Sequence, residues 1–317
     1  MPIDTAELMK QVRKIRVITS RLVNERFAGE YHSVFRGQGI EFAEVRAYEL
    51  GDDFRAIDWN VSARMGAPFV KTFEEERELT LLLVLDRSGS VAFGRPRTKV
   101  EVAVEVAAVL ALAAARQNDR VGALLFSDVV EHVIPPAKGR RHVLRVIREI
   151  LFFEPKRRGT DLNCALEFLL RVVPHRAIAV VLSDFLLPST PSPFVRYRRV
   201  NTAPAQNLAQ AAYTVLRQSN RRHDVVAVQI TDRFELELPA LGRLVLRDAE
   251  TGEVVEINTG DARKRSAFVE RQARALADTA RLFRSAGIDS IQLRTDQPYG
   301  AELAKFFETR EKRRLRG

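Results

Sequence analysis

Residues Leu79–Gly94 read "LTLLLVLDRSGSVAFG", and this stretch decides the fold. Leu79 to Leu85 is an apolar run with one threonine and no polar alternation. Such a run predicts a strand buried on both faces, as in a parallel sheet sandwiched between helices. It stops at Asp86, Ser88 and Ser90, three oxygen-bearing side chains at every second position. In an open parallel sheet the carboxyl ends of the strands are where ligands bind.

Working outward, the pattern predicts a helix from about 99 to 117, a strand over 121–126 and its hairpin partner over 130–135. Helices follow over 140–153 and 160–173, then a strand over 177–184, a helix near 205–220 and a strand over 224–231. A small hairpin, "GRLVLRD" and "EVVEIN" joined by "AETG", precedes a helix over 261–286, a strand over 288–293 and a last helix ending in "KRRLRG". Apolar strands alternating with helices predict an α/β domain, doubly wound, with a mostly parallel sheet and helices on both faces.

Upstream, Leu8, Val12, Ile15, Ile18 and Leu22 lie at helical spacing, predicting an amphipathic helix over 4–26. Gly37, Gly39, Gly51 and Gly66 break the next stretch into turns and short strands, a small irregular/β segment. The expected division is therefore residues 1–77 and 78–317. Pro188, Pro191, Pro193 and Pro204 exclude a continuous helix or strand over 187–205, which reads first as a flexible, linker-like loop and second as a loop that frames a binding surface.

The 317 residues are 46% apolar, ordinary for a globular protein, with a net charge of +10. That charge suits an acidic partner, whether nucleic acid, a membrane surface or a protein patch. One cysteine, Cys164, excludes a disulfide within the chain and fits a reducing compartment. Its helical setting predicts an inert thiol. Asp4, Glu7, Lys10, Arg13 and Lys14 interrupt any signal-peptide core, and the apolar run Val106–Ala115 is about half of the ~20 residues that cross a bilayer. The expectation is a cytoplasmic protein without a transmembrane segment.

Two further pieces join Asp86, Ser88 and Ser90. "RRGTDLN" puts Thr160 at a helix start, and the strand over 177–184 ends in Ser183-Asp184. Both belong on the same rim of the sheet. Asp86, Ser88, Ser90, Thr160 and Asp184 offer only oxygen, which suits a hard divalent cation, Mg²⁺ first and Mn²⁺ or Ca²⁺ next. Zinc prefers histidine and cysteine. Hydroxyl ligation keeps the ion electrophilic, ready to accept a carboxylate from a partner.

"DRSGS", "GTD" and "LSD" resemble the metal-ion-dependent adhesion site (MIDAS) of von Willebrand factor A domains. "GQGIEFAEVRAYELGDDFRAIDWNVSARMGAPFVKTFEEERE" resembles the signature of a bacterial branch of such proteins, domain of unknown function 58. The resemblance covers roughly residues 25–310. It implies Ser88, Ser90 and Thr160 as direct metal ligands, with Asp86 and Asp184 acting through water. It also implies chaperone-like assembly work beside a MoxR-type AAA ATPase. Arg87 fills the variable position of the motif, where an inward charge would weaken a metal; it is expected to point away.

In "YELGDDFRAIDW", charges of both signs alternate around Trp59, the sole tryptophan. A docking surface is one reading. The preferred one is an internally paired, charged subdomain packed on the main sheet, with Trp59 as its anchor. His32, His132, His142, His175 and His223 show neither metal spacing nor a triad pattern, and no phosphate-binding loop occurs. The expectation is a non-catalytic, metal-dependent adaptor whose partner is a MoxR-type ATPase or its client. A nucleic-acid binder using "KGRRHVLRVIRE", "RYRR" and "KRRLR" is the alternative, and a metal-dependent hydrolase stands behind it.

Overall fold

The computed structural model describes residues 31, 40–75, 79–94, 96–186, 205–247, 249 and 254–316. The helix expected over 4–26 and the proline-rich stretch up to 204 lie outside the described residues. The chain forms two compact units, one of Phe35–Leu79 and one that contains Thr80–Gly317.

In the smaller unit, β1 (Ile40–Ala47) pairs antiparallel with β2 (Phe69–Glu75), and the short helix α1 (Trp59–Met65) lies in their connection. Asp58 caps α1 by accepting from the Asn60 and Val61 amides and also meets Lys71 Nζ at 3.1 Å. Gly66 closes the helix at φ +70°, the left-handed conformation that a residue without Cβ adopts freely. Arg46 grips Asp52 with two nitrogens at 2.7 and 2.8 Å. The expected internal pairing is therefore present. Within this unit Trp59 is 71% exposed, as the first residue of a helix with no buried positions.

The larger unit carries β3 (Thr80–Asp86), α2 (Lys99–Arg116), β4 (Arg120–Phe126), β5 (Val130–Ala137), α3 (Arg140–Phe152) and α4 (Leu162–Val172). Then come β6 (Ile178–Ser183), α5 (Ala205–Arg222), β7 (Asp224–Thr231), the single turn α6 (Arg233–Leu236) and the ribbon β8 (Arg243–Arg247) with β9 (Val254–Asn258). The long helix α7 (Ala262–Ala286), β10 (Asp289–Arg294) and α8 (Gly300–Arg316) finish it.

Six strands form one sheet in the order β10-β7-β6-β3-β4-β5. All neighbours are parallel except β5, the hairpin partner of β4. Leu81–Asp86 are all buried, which is why their sequence shows no alternation. Leu82 and Val84 pack with Leu162, Leu166 and Leu169 of α4, Leu216 of α5 and Phe283 of α7. Leu81, Leu83 and Leu85 point to the opposite face, where α2 packs against β3 and β4. The sheet is thus doubly wound. From β3 the chain runs outward to β5, then crosses back to β6 on the other side. That reversal opens a crevice between the carboxyl ends of β3 and β6, the usual ligand position in such sheets.

Candidate metal centre

Asp86 is the last residue of β3, and Asp184 follows the last residue of β6, so the reversal brings both carboxylates to the crevice. Each is 2% exposed. Asp86 Oδ1 accepts from the Ser88 amide at 2.8 Å, which bends the chain out of the strand. Asp86 Oδ2 accepts from Ser183 Oγ at 2.7 Å. Asp184 Oδ1 accepts from the Leu186 amide at 3.2 Å, and Gln229 Nε2 donates to the Asp184 carbonyl. Burial and repulsion from Asp184 push the Asp86 carboxyl up to about 6, against the hydrogen bonds from Ser183 and Ser88.

Ser88 Oγ and Ser90 Oγ stand 3.1 Å apart. Mg²⁺ holds its ligands at about 2.0–2.1 Å in an octahedron, so neighbouring ligand oxygens stand about 3 Å apart. The two hydroxyls have that spacing. The Gly89 amide donates to the Arg158 carbonyl at 2.8 Å, so the loop that carries Thr160 abuts the serine loop. Thr160 itself precedes Asp161, which caps α4 through the Asn163 amide. The structure therefore joins Asp86, Ser88, Ser90 and Asp184 at one crevice and sets the Thr160 loop against it. Among the described residues no three His, Cys, Asp or Glu side chains form a metal-holding group.

Arg87 leaves the site. Its Nη2 donates to the Phe153 carbonyl at 2.5 Å and its guanidinium lies over the Phe153 ring at 5.8 Å. Cys164 donates to the Asp161 carbonyl, and burial followed by repulsion from Asp161 pushes its thiol up to about 11, consistent with an inert role.

Two features escaped the reading of the sequence. Lys99, the first residue of α2, is 0% exposed and points Nζ at Asp184 Oδ2 (2.7 Å) and Glu235 Oε1 (2.5 Å). Burial opposes its charge, but Asp184 and Glu235 outweigh burial and raise its pKa. Glu235 is held by a capping box with Asp232, whose Oδ2 accepts from Thr295 Oγ1 at 2.5 Å. A lysine at the dipole-disfavoured start of a helix was the available signal for Lys99. "DRFE", with an N-cap residue three positions before a glutamate, was the signal for Glu235, and its ordinary reading is a cap alone.

The second feature is the place that the expected β8–β9 hairpin reaches. The Ala249 carbonyl oxygen at its tip lies 2.4 Å from where a Cβ on Gly89 would stand. The ribbon thus reaches the middle of the Asp86–Ser90 loop, and glycine is required there by proximity.

An uncharacterized protein of Mycobacterium tuberculosis, Rv1480, is 31% identical over 318 residues, covering 99% of this chain and 93% of that protein. Among solved structures, an aerotolerance-related membrane protein of Bacteroides fragilis is similar at 14% identity and a TM-score of 0.44, covering 74% of this chain and 99% of that one. The SpRpn10 von Willebrand factor A domain is similar at 9% identity and a TM-score of 0.36, covering 73% of this chain and 95% of that one. Those scores are low, and the α/β architecture rests on the strand order above. Residues 44–278 match the family described as protein of unknown function DUF58, and with the near full-length mycobacterial relative this places the chain in that family.

Proposed function

We propose that this protein is a non-catalytic adaptor that captures an acidic residue of another protein through a divalent cation, Mg²⁺ by preference. The observation that carries the reading is the meeting of Asp86, Ser88, Ser90 and Asp184 at the sheet's reversal point, two of them buried carboxylates that repel each other. Ser88, Ser90 and Thr160 offer neutral oxygens; Asp86 and Asp184 offer the charge that makes a cation welcome. The bound ion supplies an electrophilic point for a carboxylate from outside. Few neutralising ligands on the protein side leave that point strong.

The partner this reading names is a MoxR-type AAA ATPase or the client that it remodels, in the cytoplasm. Three of the described histidines already have partners: His132 pairs with Glu149, His142 with the Val121 carbonyl and His223 with the Ala177 amide.

The test is affinity capture of the candidate ATPase from native extract, with Mg²⁺ and with chelator, using wild type and an Asp86→Ala/Ser88→Ala double variant. Capture by wild type only, and only with Mg²⁺, is the expected result. Capture indifferent to chelator and to the double change would falsify the mechanism.

A further inference from the structure

We infer that Lys99 is a tethered cation that competes with the metal for Asp184, so that the ion and an acidic partner residue bind cooperatively. The inference rests on the metal-site reading and concerns how that site is regulated.

Lysine is among the residues least often fully buried, and the start of a helix is where its charge is least welcome. Lys99 stands in both situations at once, so a strong local attraction must hold it. That attraction is visible. Nζ makes charged hydrogen bonds to Asp184 Oδ2 at 2.7 Å and to Glu235 Oε1 at 2.5 Å. The residue is clamped from both sides in sequence. Thr98 and Glu101 form a capping box that fixes the first turn of α2, and the Lys99 amide donates to the Phe93 carbonyl. Glu235 is fixed in turn by its own box with Asp232.

The consequence follows from charge. Asp184 has two oxygens: one accepts from the Leu186 amide and the other from Lys99. A cation that uses Asp184 must therefore share it with an ammonium, and it also feels the repulsion of that ammonium across a buried site. Lys99 holds the acidic crevice together without metal and weakens the metal when it arrives. A carboxylate brought by a partner offsets the charge of Lys99. The ion then binds more tightly, and by linkage the partner binds more tightly when the ion is present. The chain becomes a coincidence detector for Mg²⁺ and an acidic tip.

The test uses the full chain and Mn²⁺ as the probe, followed by electron paramagnetic resonance with no partner present. Wild type, Lys99→Met and Lys99→Arg are compared. Charges this close in a site of reduced dielectric make the expected gain for Lys99→Met roughly tenfold or more in Mn²⁺ affinity. Lys99→Arg keeps the charge and gains nothing. If wild type binds Mn²⁺ and Lys99→Met binds equally or more weakly, the competition is refuted while the metal site stands. If neither binds Mn²⁺, the metal site itself is refuted and the inference falls with it. A wild-type measurement covers a variant that fails to fold. The Lys99 ¹⁵Nζ resonance shifts and its protons exchange faster on saturation with Mg²⁺; an unchanged resonance at saturation overturns the inference.

Discussion

Gly89→Ala separates two effects of opposite sign. Gly89 has φ −63° and ψ −33°, a conformation that alanine adopts without strain. In open space the change stabilises by about 0.4–1 kcal/mol, because alanine has less freedom to lose from the unfolded chain. Here the added Cβ would lie 2.4 Å from the Ala249 carbonyl oxygen and 2.9 Å from its carbon, both inside the 3.0 Å limit that real Cβ atoms respect. The Arg158 carbonyl stands on another side at 3.4 Å, so the loop cannot retreat there without pressing on the Thr160 segment. Forcing a methyl group into a packed contact costs about 1–3 kcal/mol. The expected net is a loss of about 1–2 kcal/mol, a fall in Tm of roughly 2–8 °C for a unit of this size. Differential scanning fluorimetry reads it. The control replaces residues 248–253 with Asn-Gly, which joins the last ribbon pair, Arg247 and Val254, by a two-residue hairpin turn. In that background Gly89→Ala stabilises. If Gly89→Ala stabilises the intact chain, the ribbon does not sit on the Asp86–Ser90 loop.

Two other outcomes follow from single residues. His223 is buried with Nδ1 accepting from the Ala177 amide, and burial followed by the charges of Arg222 and Arg176 lowers its pKa to about 4. The unfolded chain takes up the proton near 6.5 and the folded one does not until about 4, so stability is full above that window. It falls by up to about 3 kcal/mol as pH drops through it. Urea melts at pH 4, 5.5 and 7 show the slope, His223→Asn flattens it, and an unchanged slope in the variant would count against the assignment. Trp59→Ala, at an exposed position, should move stability by no more than about 0.5 kcal/mol. A larger loss by urea denaturation would mean that Trp59 is packed after all.

The core of the fold is legible because β3, β6 and β7 are buried along nearly their whole length, and full burial leaves an unbroken apolar run. The reversal between β3 and β6 is legible by the same route: two such strands each end in oxygen-bearing residues. Strand order itself is not local information. What places Asp86 beside Asp184 is the crossover after β5, a property of how layers pack. Lys99 and Glu235 were missed because each has a complete local explanation, a helix start and a cap, and their pairing spans 136 positions. The contact between Gly89 and Ala249 has no signature either, since the glycine serves a distant carbonyl and no turn.

The net positive charge of the chain does not by itself choose a partner. On α3, Val143, Val146, Ile147 and Ile150 are buried while Arg140, Arg141 and Arg148 are exposed. The basic cluster there is the solvated face of an amphipathic helix, which any helix covering a sheet must have. Arg145 is already paired with Glu149 at 2.6 Å. The crevice has the opposite polarity: Asp184 and Glu235 share the Lys99 ammonium, and Asp86 adds a carboxyl beside Asp184. A phosphate backbone brought there meets like charge, whereas a divalent ion would offset the excess and present a local electrophilic point to one more carboxylate. Nucleic acid, if bound, must use the basic faces and ignore the crevice. Its binding would then weaken steeply with salt and be unmoved by Asp86→Ala, while capture of an acidic protein would follow Mg²⁺. The two readings therefore occupy different surfaces, and the response to Mg²⁺ at fixed ionic strength divides them.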